Sequence, residues 1–294
     1  MTTLAKDSER SAVADARAAA SAAAARSGVV VEQVHDQDSL AAIAAVVDAV
    51  WHPKPGSEPV NRLMLRAFAH TGNYCAVARM DSEVVGACVG FLAMEPAGCL
   101  HSHLAAVTMA GAGRHVGFAL KLDQRAWALE HAIPAIEWTF DPLVRRNAFF
   151  NCTKLGAIPV AYLTDFYGDM QDRTNVGQGS DRLVARWDLL SDRVQEAALG
   201  SYPSIVAADL ITAPGTLLCL DADGDRPVVG PGPTPETRIA LVRVPDDIEA
   251  IRLLDPELAR QWRSTVRSTL RGLMESGWTI TDMTRDGCYV LRRD

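Results

Sequence analysis

One stretch, His101 to Leu122, HSHLAAVTMAGAGRHVGFALKL, narrows the fold more than any other. Its first part, as far as Met109, reads as a strand. Small residues follow, then Arg114, and from Gly117 the apolar residues return at helical spacing. A strand that passes through a short turn straight into a helix leaves the first amides of that helix without partners, at the positive end of its dipole. Gly111, Gly113 and Gly117 keep side chains out of the approach, and Arg114 adds a charge-assisted donor. Such a turn suits an anion, a cofactor's pyrophosphate among them. Turns of this composition also arise as plain connections, and that alternative stays open. A dinucleotide-binding G-x-G-x-x-G after a first strand and a G-K-[ST] phosphate loop are both missing.

Around this stretch the chain divides into alternating signals. GVVVEQV (Gly28–Val34) reads as a strand, and DSLAAIAAVVDAVW as a helix with Asp38 or Ser39 as its N-cap. The proline-rich HPKPGSEP is a loop, and VNRLMLRAFAH a second helix. NYCAVARMDSEVVGACVGFLAM gives a hairpin turning at Met80–Glu83. After the central strand and helix come a strand at AIEWTF, a short helix over Arg145–Leu155 and a strand at AIPVAYLTDFYG. A second section begins near Met170, with strands at RLVARWDL, TLLCLDA and RIALVRVP. Its helix opens at Asp255-Pro256 with an N-cap and an N1 proline, carries a Leu258, Trp262, Val266, Leu270, Leu273 stripe and stops at Gly277. WTITDM and CYVLRR form a closing hairpin.

A chain of 294 residues, 48% hydrophobic, has material for one large domain or two small ones with a real core. Its net charge of −7 argues against a nucleic-acid surface, and no apolar run reaches the length of a membrane span. Six scattered cysteines without a C-x-x-C pair read as reduced thiols of a cytoplasmic protein. Residues 1–27 are alanine-rich, and Asp7, Glu9, Asp15 and Arg17 interrupt them. They are expected to form a frayed helix or disordered tail rather than a signal peptide.

Arg114-His115-Val116-Gly117-Phe118-Ala119 fits R/Q-x-x-G-x-G/A and resembles the acyl-CoA pyrophosphate motif of the GNAT (Gcn5-related N-acetyltransferase) superfamily. MDSEVVGACVGF before it and FFNCTKLGA after it are similar to that family's flanking segments, in the same element order, over residues 28–168. The resemblance is to long bacterial members with a C-terminal extension. It implies an α+β fold: a mixed, splayed central sheet flanked by helices in residues 28–168, and a C-terminal α/β section in 169–294. It further implies acetyl-CoA or another acyl-CoA as co-substrate, with no metal. The backbones of Val107 and Met109 would hold the pantetheine arm, and Arg114, His115, Val116, Gly117, Phe118 and Ala119 would wrap the pyrophosphate.

His101 and His103, two apart on a strand, point to one face. HSHLAAV looks like the paired-histidine strand of serotonin N-acetyltransferases, in which two imidazoles relay the amine's proton. Imidazole suits that task, although a hydrogen-bonded structural pair is the alternative. The family's thiolate-protonating tyrosine falls here on Cys152, and its motif asparagine is displaced to Asn147. Tyr162 and Tyr167 are the substitutes, and Tyr167 is taken with His101 and His103 as the catalytic set. Asp141 is expected on the acceptor side, Arg145 and Arg146 as holders of an acceptor carboxylate or solvated charges, and Asp181-Arg182 as an ion pair. The expected function is direct transfer of an acetyl or succinyl group from acyl-CoA to the amine of a small molecule, an amino acid or arylalkylamine among the candidates. The alternative is a degenerate domain that binds acyl-CoA as a sensor or scaffold. A homodimer is left open; no nucleic acid or membrane partner is expected.

Overall fold

The alternation that marks Val30–Gln33 and the segments after it becomes a strand-rich structure in the computed structural model, which describes residues 3–168 and 179–293. In chain order the elements are α1 Thr3–Ser27, β1 Val30–Gln33, α2 Gln37–Trp51, α3 Arg62–His70, β2 Tyr74–Met80, β3 Glu83–Ala93, β4 Cys99–Val107, α4 Val116–Glu130, β5 Ala135–Phe140 and α5 Arg145–Phe149. They continue with β6 Ile158–Leu163, β7 Arg182–Asp188, α6 Asp192–Leu199, α7 Ala207–Ile211, β8 Thr216–Asp223, β9 Arg226–Val229, β10 Ile239–Arg243, α8 Ile248–Leu254, α9 Pro256–Val266, α10 Gly272–Glu275, β11 Thr279–Met283 and β12 Cys288–Arg292. Two compact units result: Met1–Trp138 with Asp188–Leu199, and Thr139–Trp187 with Gly200–Asp294. The division between these units falls inside β5. The polar stretch from Met170 to Gln178, expected as the junction, lies outside the described residues.

In the first unit the strand order is β1-β2-β3-β4-β5. The first four strands are joined antiparallel, and β4 and β5 run parallel. A parallel neighbour needs a crossover, and α4 supplies it. On one face, Leu40, Ile43, Val46 and Val47 of α2 and Leu65 of α3 pack with Val77, Ala87, Val89, Leu104 and Ala106. The other face carries α4: a Cβ placed on Gly86 would meet Leu120 and Val116 at 3.0 and 3.1 Å. The capping side chain of α2 is Asp36, which accepts from the Ser39 amide, not Asp38 or Ser39. Asn61 caps α3 in the same way.

Residues 3–27, expected as a frayed helix or disordered tail, are helical in the structure. They form one helix whose Ala16, Ala19, Ala20 and Ala23 are buried, and α1 packs on α4. Arg17 reaches from it to Asp123 and Glu130, both at 2.6 Å. Alanine at the spacing of one helix face allows close approach, and Arg17, one of the charges read as interruptions, ties the helix to α4.

In the second unit β6 and β7 pair antiparallel, and a five-stranded sheet has the order β11-β12-β10-β8-β9. Ile239, Leu241, Cys288 and Val290 form a core there with Ala207. As expected, α9 starts with Asp255 accepting from the Leu258 amide and a proline in its first turn. Helices α6, α7 and α8 and strand β9 had no clear sequence signal.

Candidate functional site

The turn between β4 and α4 is built by steric necessity. The Thr108 amide donates to Val85 O at 2.9 Å, holding the end of β4 against β3. The chain then folds through a 3-10 turn, Met109–Gly111. A Cβ on Gly111 would lie 2.8 Å from Val107 Cγ1 and 3.1 Å from Val85 O, so only glycine fits. Gly113 has φ +74, and His115, the residue before α4, has φ 61, an uncommon conformation for a non-glycine residue. Among the described residues, the amides of Met109, Gly113, His115, Val116 and Gly117 donate to no protein acceptor. The Phe118 and Ala119 amides already bond to His115 O at 3.0 and 3.1 Å. Of the predicted cofactor residues, Met109, Arg114 and His115 are exposed, Gly117 and Phe118 half-buried, and Val116 and Ala119 buried. Val107 ends β4, paired with Gly86.

Beside this turn the sheet opens. β4 pairs with β5 only through Cys99↔Ala135, Leu100↔Ile136 and His101↔Glu137. From Ser102 onward β4 continues along β3 to Val107, with no β5 pair among the described residues. The register with β3 slips between Val89↔Leu104 and Gly90↔Ser102, leaving His103 as the extra residue of a bulge. A mixed sheet, a crossover helix entered through open amides and two parallel strands that part midway are present together. These are the features that the resemblance to the GNAT superfamily implies for the fold.

Solved structures similar to this chain include acetyltransferases. One is a Desulfovibrio desulfuricans protein assigned to the GNAT family (15% identity, TM-score 0.46, covering 55% of this chain and 99% of that one). Another is an N-acetyltransferase from Staphylococcus aureus (15%, 0.45, 55% and 98%). A third is a Bacillus subtilis acetyltransferase in complex with CoA (17%, 0.44, 55% and 99%). Identities this low and TM-scores below 0.5 carry no inference about activity in this chain. No protein-family model and no curated protein matches it.

Where β4 leaves β5, Phe91, His101 and Glu137 occupy paired positions on β3, β4 and β5 and so form one row on one face. His101 lies 5.0 Å from the Phe91 ring and 6.0 Å from the His103 ring, and Phe91 stacks on Phe68 of α3 at 5.1 Å (ring centroids). His103 Nε2 is 2.8 Å from Pro59 O. A carbonyl only accepts, so Nε2 carries the hydrogen, and in the neutral ring Nδ1 has the lone pair. The pKa of His101 is lowered by burial first, then by His103 and Lys121. All four rings and Glu137 are half-buried. Glu137 was not anticipated. A single acidic residue between Ile136 and Trp138 in an otherwise apolar strand was the available signal, and only the register places it beside His101.

Behind β4 lies a second unanticipated group. Lys121 of α4 is buried; its Nζ donates to Ser102 Oγ at 3.0 Å and Gln124 Oε1 at 2.6 Å, and it sits 4.0 Å from the Trp138 ring centroid. Burial pushes its pKa down to about 8.

Other expected residues lie in the second unit, each with partners of its own. The Tyr167 hydroxyl is 3.0 Å from Thr139 Oγ1, its ring 5.2 Å from the Arg182 guanidinium. Tyr162 donates to Asp181 at 2.6 Å; burial, then that carboxylate, raises its pKa far above the ordinary phenol value. Cys152 is fully buried. Asp141 is not an open acceptor-side carboxylate: Arg263 holds it with two bonds of 2.7 Å and Arg252 with one of 2.6 Å. Burial alone would raise Asp141; Arg263 and then Arg252 overcome this and hold it well below the usual carboxylate range. Arg145 pairs with Asp246 and donates to Arg285 O, and Arg146 pairs with Glu249 at 3.0 Å. The Asp181 carboxylate binds Arg267 at 2.7 and 2.8 Å, whereas Arg182 donates to Asp181's backbone carbonyl. Among the described residues no three His, Cys, Asp or Glu side chains gather as metal ligands, and no helix is long and apolar enough to cross a membrane. Surface depressions at Gly28, Arg79 and Asp81 and at Asp221, Arg243 and Trp262 contain none of the expected site residues.

Proposed function

We propose that the chain transfers an acyl group from an acyl-CoA directly to the amine of a small molecule. The observation that carries this is the open set of amides at Gly113, His115, Val116 and Gly117, at the start of a helix and beside two parting strands. An amide cluster at a helix start favours a diphosphate by geometry and dipole, and Arg114, exposed on the same turn, adds a guanidinium. A pantetheine arm running along β4 from that turn would bring the thioester towards His103 and His101.

Chemistry there needs the incoming amine neutral. Its nitrogen forms a bond to the thioester carbonyl carbon, the C–S bond breaks, the amine's proton passes to a base and the departing thiolate takes one up. His101, His103 through Nδ1, and Glu137 are the candidate bases. Of the groups expected to protonate the thiolate, Tyr162 is committed to Asp181 and Cys152 is buried. Arg145 and Arg146, named as holders of an acceptor carboxylate, pair with Asp246 and Glu249. The ring wall of Phe68, Phe91, His101 and His103 favours an amine with an apolar substituent. The test is thiol release from acetyl-CoA and succinyl-CoA with a panel of amines and amino acids. Amine-dependent release supports the proposal. CoA binding without release for any amine favours a sensor or scaffold instead.

A further inference from the structure

The gap between β4 and β5 has a closed end, at their last pair His101↔Glu137. The next residue of each strand, Ser102 on β4 and Trp138 on β5, turns to the opposite face of the sheet. Lys121 of α4 touches both: its Nζ donates to Ser102 Oγ at 3.0 Å and stands 4.0 Å from the Trp138 ring centroid. A buried ammonium therefore lies beneath the point at which the two strands part. Gln124, almost one turn further along α4, accepts from that ammonium through Oε1 at 2.6 Å. Its oxygen is thus engaged, while its Nε2 is buried and has no acceptor among the described residues. An unspent buried donor is costly, and folded proteins keep few of them. The β3 residue paired with Ser102 is Gly90, and a side chain there would press on this amide, since a Cβ would stand 3.0 Å from Nε2. The closed end of the gap thus holds a positive charge and an unspent N–H side by side, a pair suited to an anionic acceptor.

We propose that Lys121 and Gln124 select the acyl group, and that the donor is an acyl-CoA whose acyl chain ends in a carboxylate. The inference rests on the acyl-transfer proposal, in which the pantetheine arm runs along β4 and brings the thioester towards His103 and His101. An acyl chain continuing in that direction meets the closed end of the gap, where Lys121 and Gln124 lie. A carboxylate has lone pairs for both donors and a charge opposite to the ammonium's. A methyl group in its place leaves the amide unspent and buries the ammonium more deeply without compensation. An acetyl group brings no acceptor at all.

The test is calorimetric binding of succinyl-CoA and of butyryl-CoA to the protein without an acceptor amine. The two thioesters have acyl chains of equal length, one ending in a carboxylate and the other in a methyl group. The wild type should bind succinyl-CoA about ten- to a hundredfold more tightly, the scale of a hydrogen-bonded charge. The preference should disappear in Lys121→Met and shrink in Gln124→Leu. Equal binding by the wild type, or tighter binding of butyryl-CoA, overturns the inference and leaves the acyl-transfer proposal standing. A preference for succinyl-CoA that folded Lys121→Met keeps in full also overturns it. Binding of neither thioester rejects both proposals. If Lys121→Met does not fold, Lys121→Gln takes its place, and the wild-type and Gln124→Leu ratios decide on the same terms.

Discussion

Lys121 gives a prediction whose size follows from the fold alone. Its pKa falls from 10.5 to about 8 because α4 carries the ammonium into a site with a serine hydroxyl, an amide oxygen and a tryptophan face in place of bulk water. A group whose folded pKa is depressed binds fewer protons folded than unfolded between the two values, so stability rises with pH across that window. At about 1.4 kcal/mol per pKa unit, the fall amounts to about 3 kcal/mol. Above pH 10.5 the lysine is neutral in both states and the penalty vanishes; below pH 8 the folded chain bears it in full. Lys121→Met also loses two hydrogen bonds, and alkaline titrations cancel between the two proteins except that of Cys88, which lies near the ammonium and which burial pushes up to about 11. The assay is urea unfolding of wild type and Lys121→Met at intervals from pH 7 to 10.5. Wild-type stability should gain on the variant by about 3 kcal/mol over this range. Parallel curves would refute the reasoning, because they would mean that the ammonium reaches water.

Gly111→Ala should destabilise the chain by about 1–3 kcal/mol in denaturant, since the new methyl meets Val107 and the Val85 carbonyl; wild-type stability would show that the turn can shift. Asp141→Asn should cost about 3–5 kcal/mol, because it leaves the buried Arg252 and Arg263 without their shared carboxylate. The loss should shrink as the wild-type carboxylate protonates in strong acid, and a neutral substitution would mean that water relieves the pair. If His101 is the base, the acid limb of kcat/KM should fall below pH 6.5, in the direction of its lowered pKa; a limb above that value would assign the base elsewhere. Phe91→Ala should raise KM for arylalkyl amines by about tenfold, the scale of one lost aromatic contact, and leave short alkyl amines unaffected.

Much of the first unit was legible because its signals are local. Proline and glycine bracket α2 and α3, a polar turn joins β2 to β3, and the alternation in HSHLAAV stands next to the glycines of the turn. What escaped depends on register and on distant partners. Glu137 gains meaning only through pairing with His101, and Lys121 only because α4 turns it towards Ser102. Asp141, Arg145 and Arg146 looked available because their partners Arg263, Arg252, Asp246 and Glu249 lie about a hundred residues further along the chain. The alanine-rich start looked featureless for the same reason. Its small residues are informative only against α4, and Arg17 only beside Asp123 and Glu130.

Calorimetric titration of the wild type and Gly117→Asp with CoA tests the central claim most directly. A Cβ at Gly117 meets nothing closer than Val107 Cγ2 at 3.7 Å, so the variant should keep its fold while placing a carboxylate among the open amides. The account predicts binding by the wild type and an affinity loss of at least about a hundredfold in the variant, the scale of an unfavourable charge at an anion site. Equal affinity in the two proteins, or no binding of CoA by either, would contradict it.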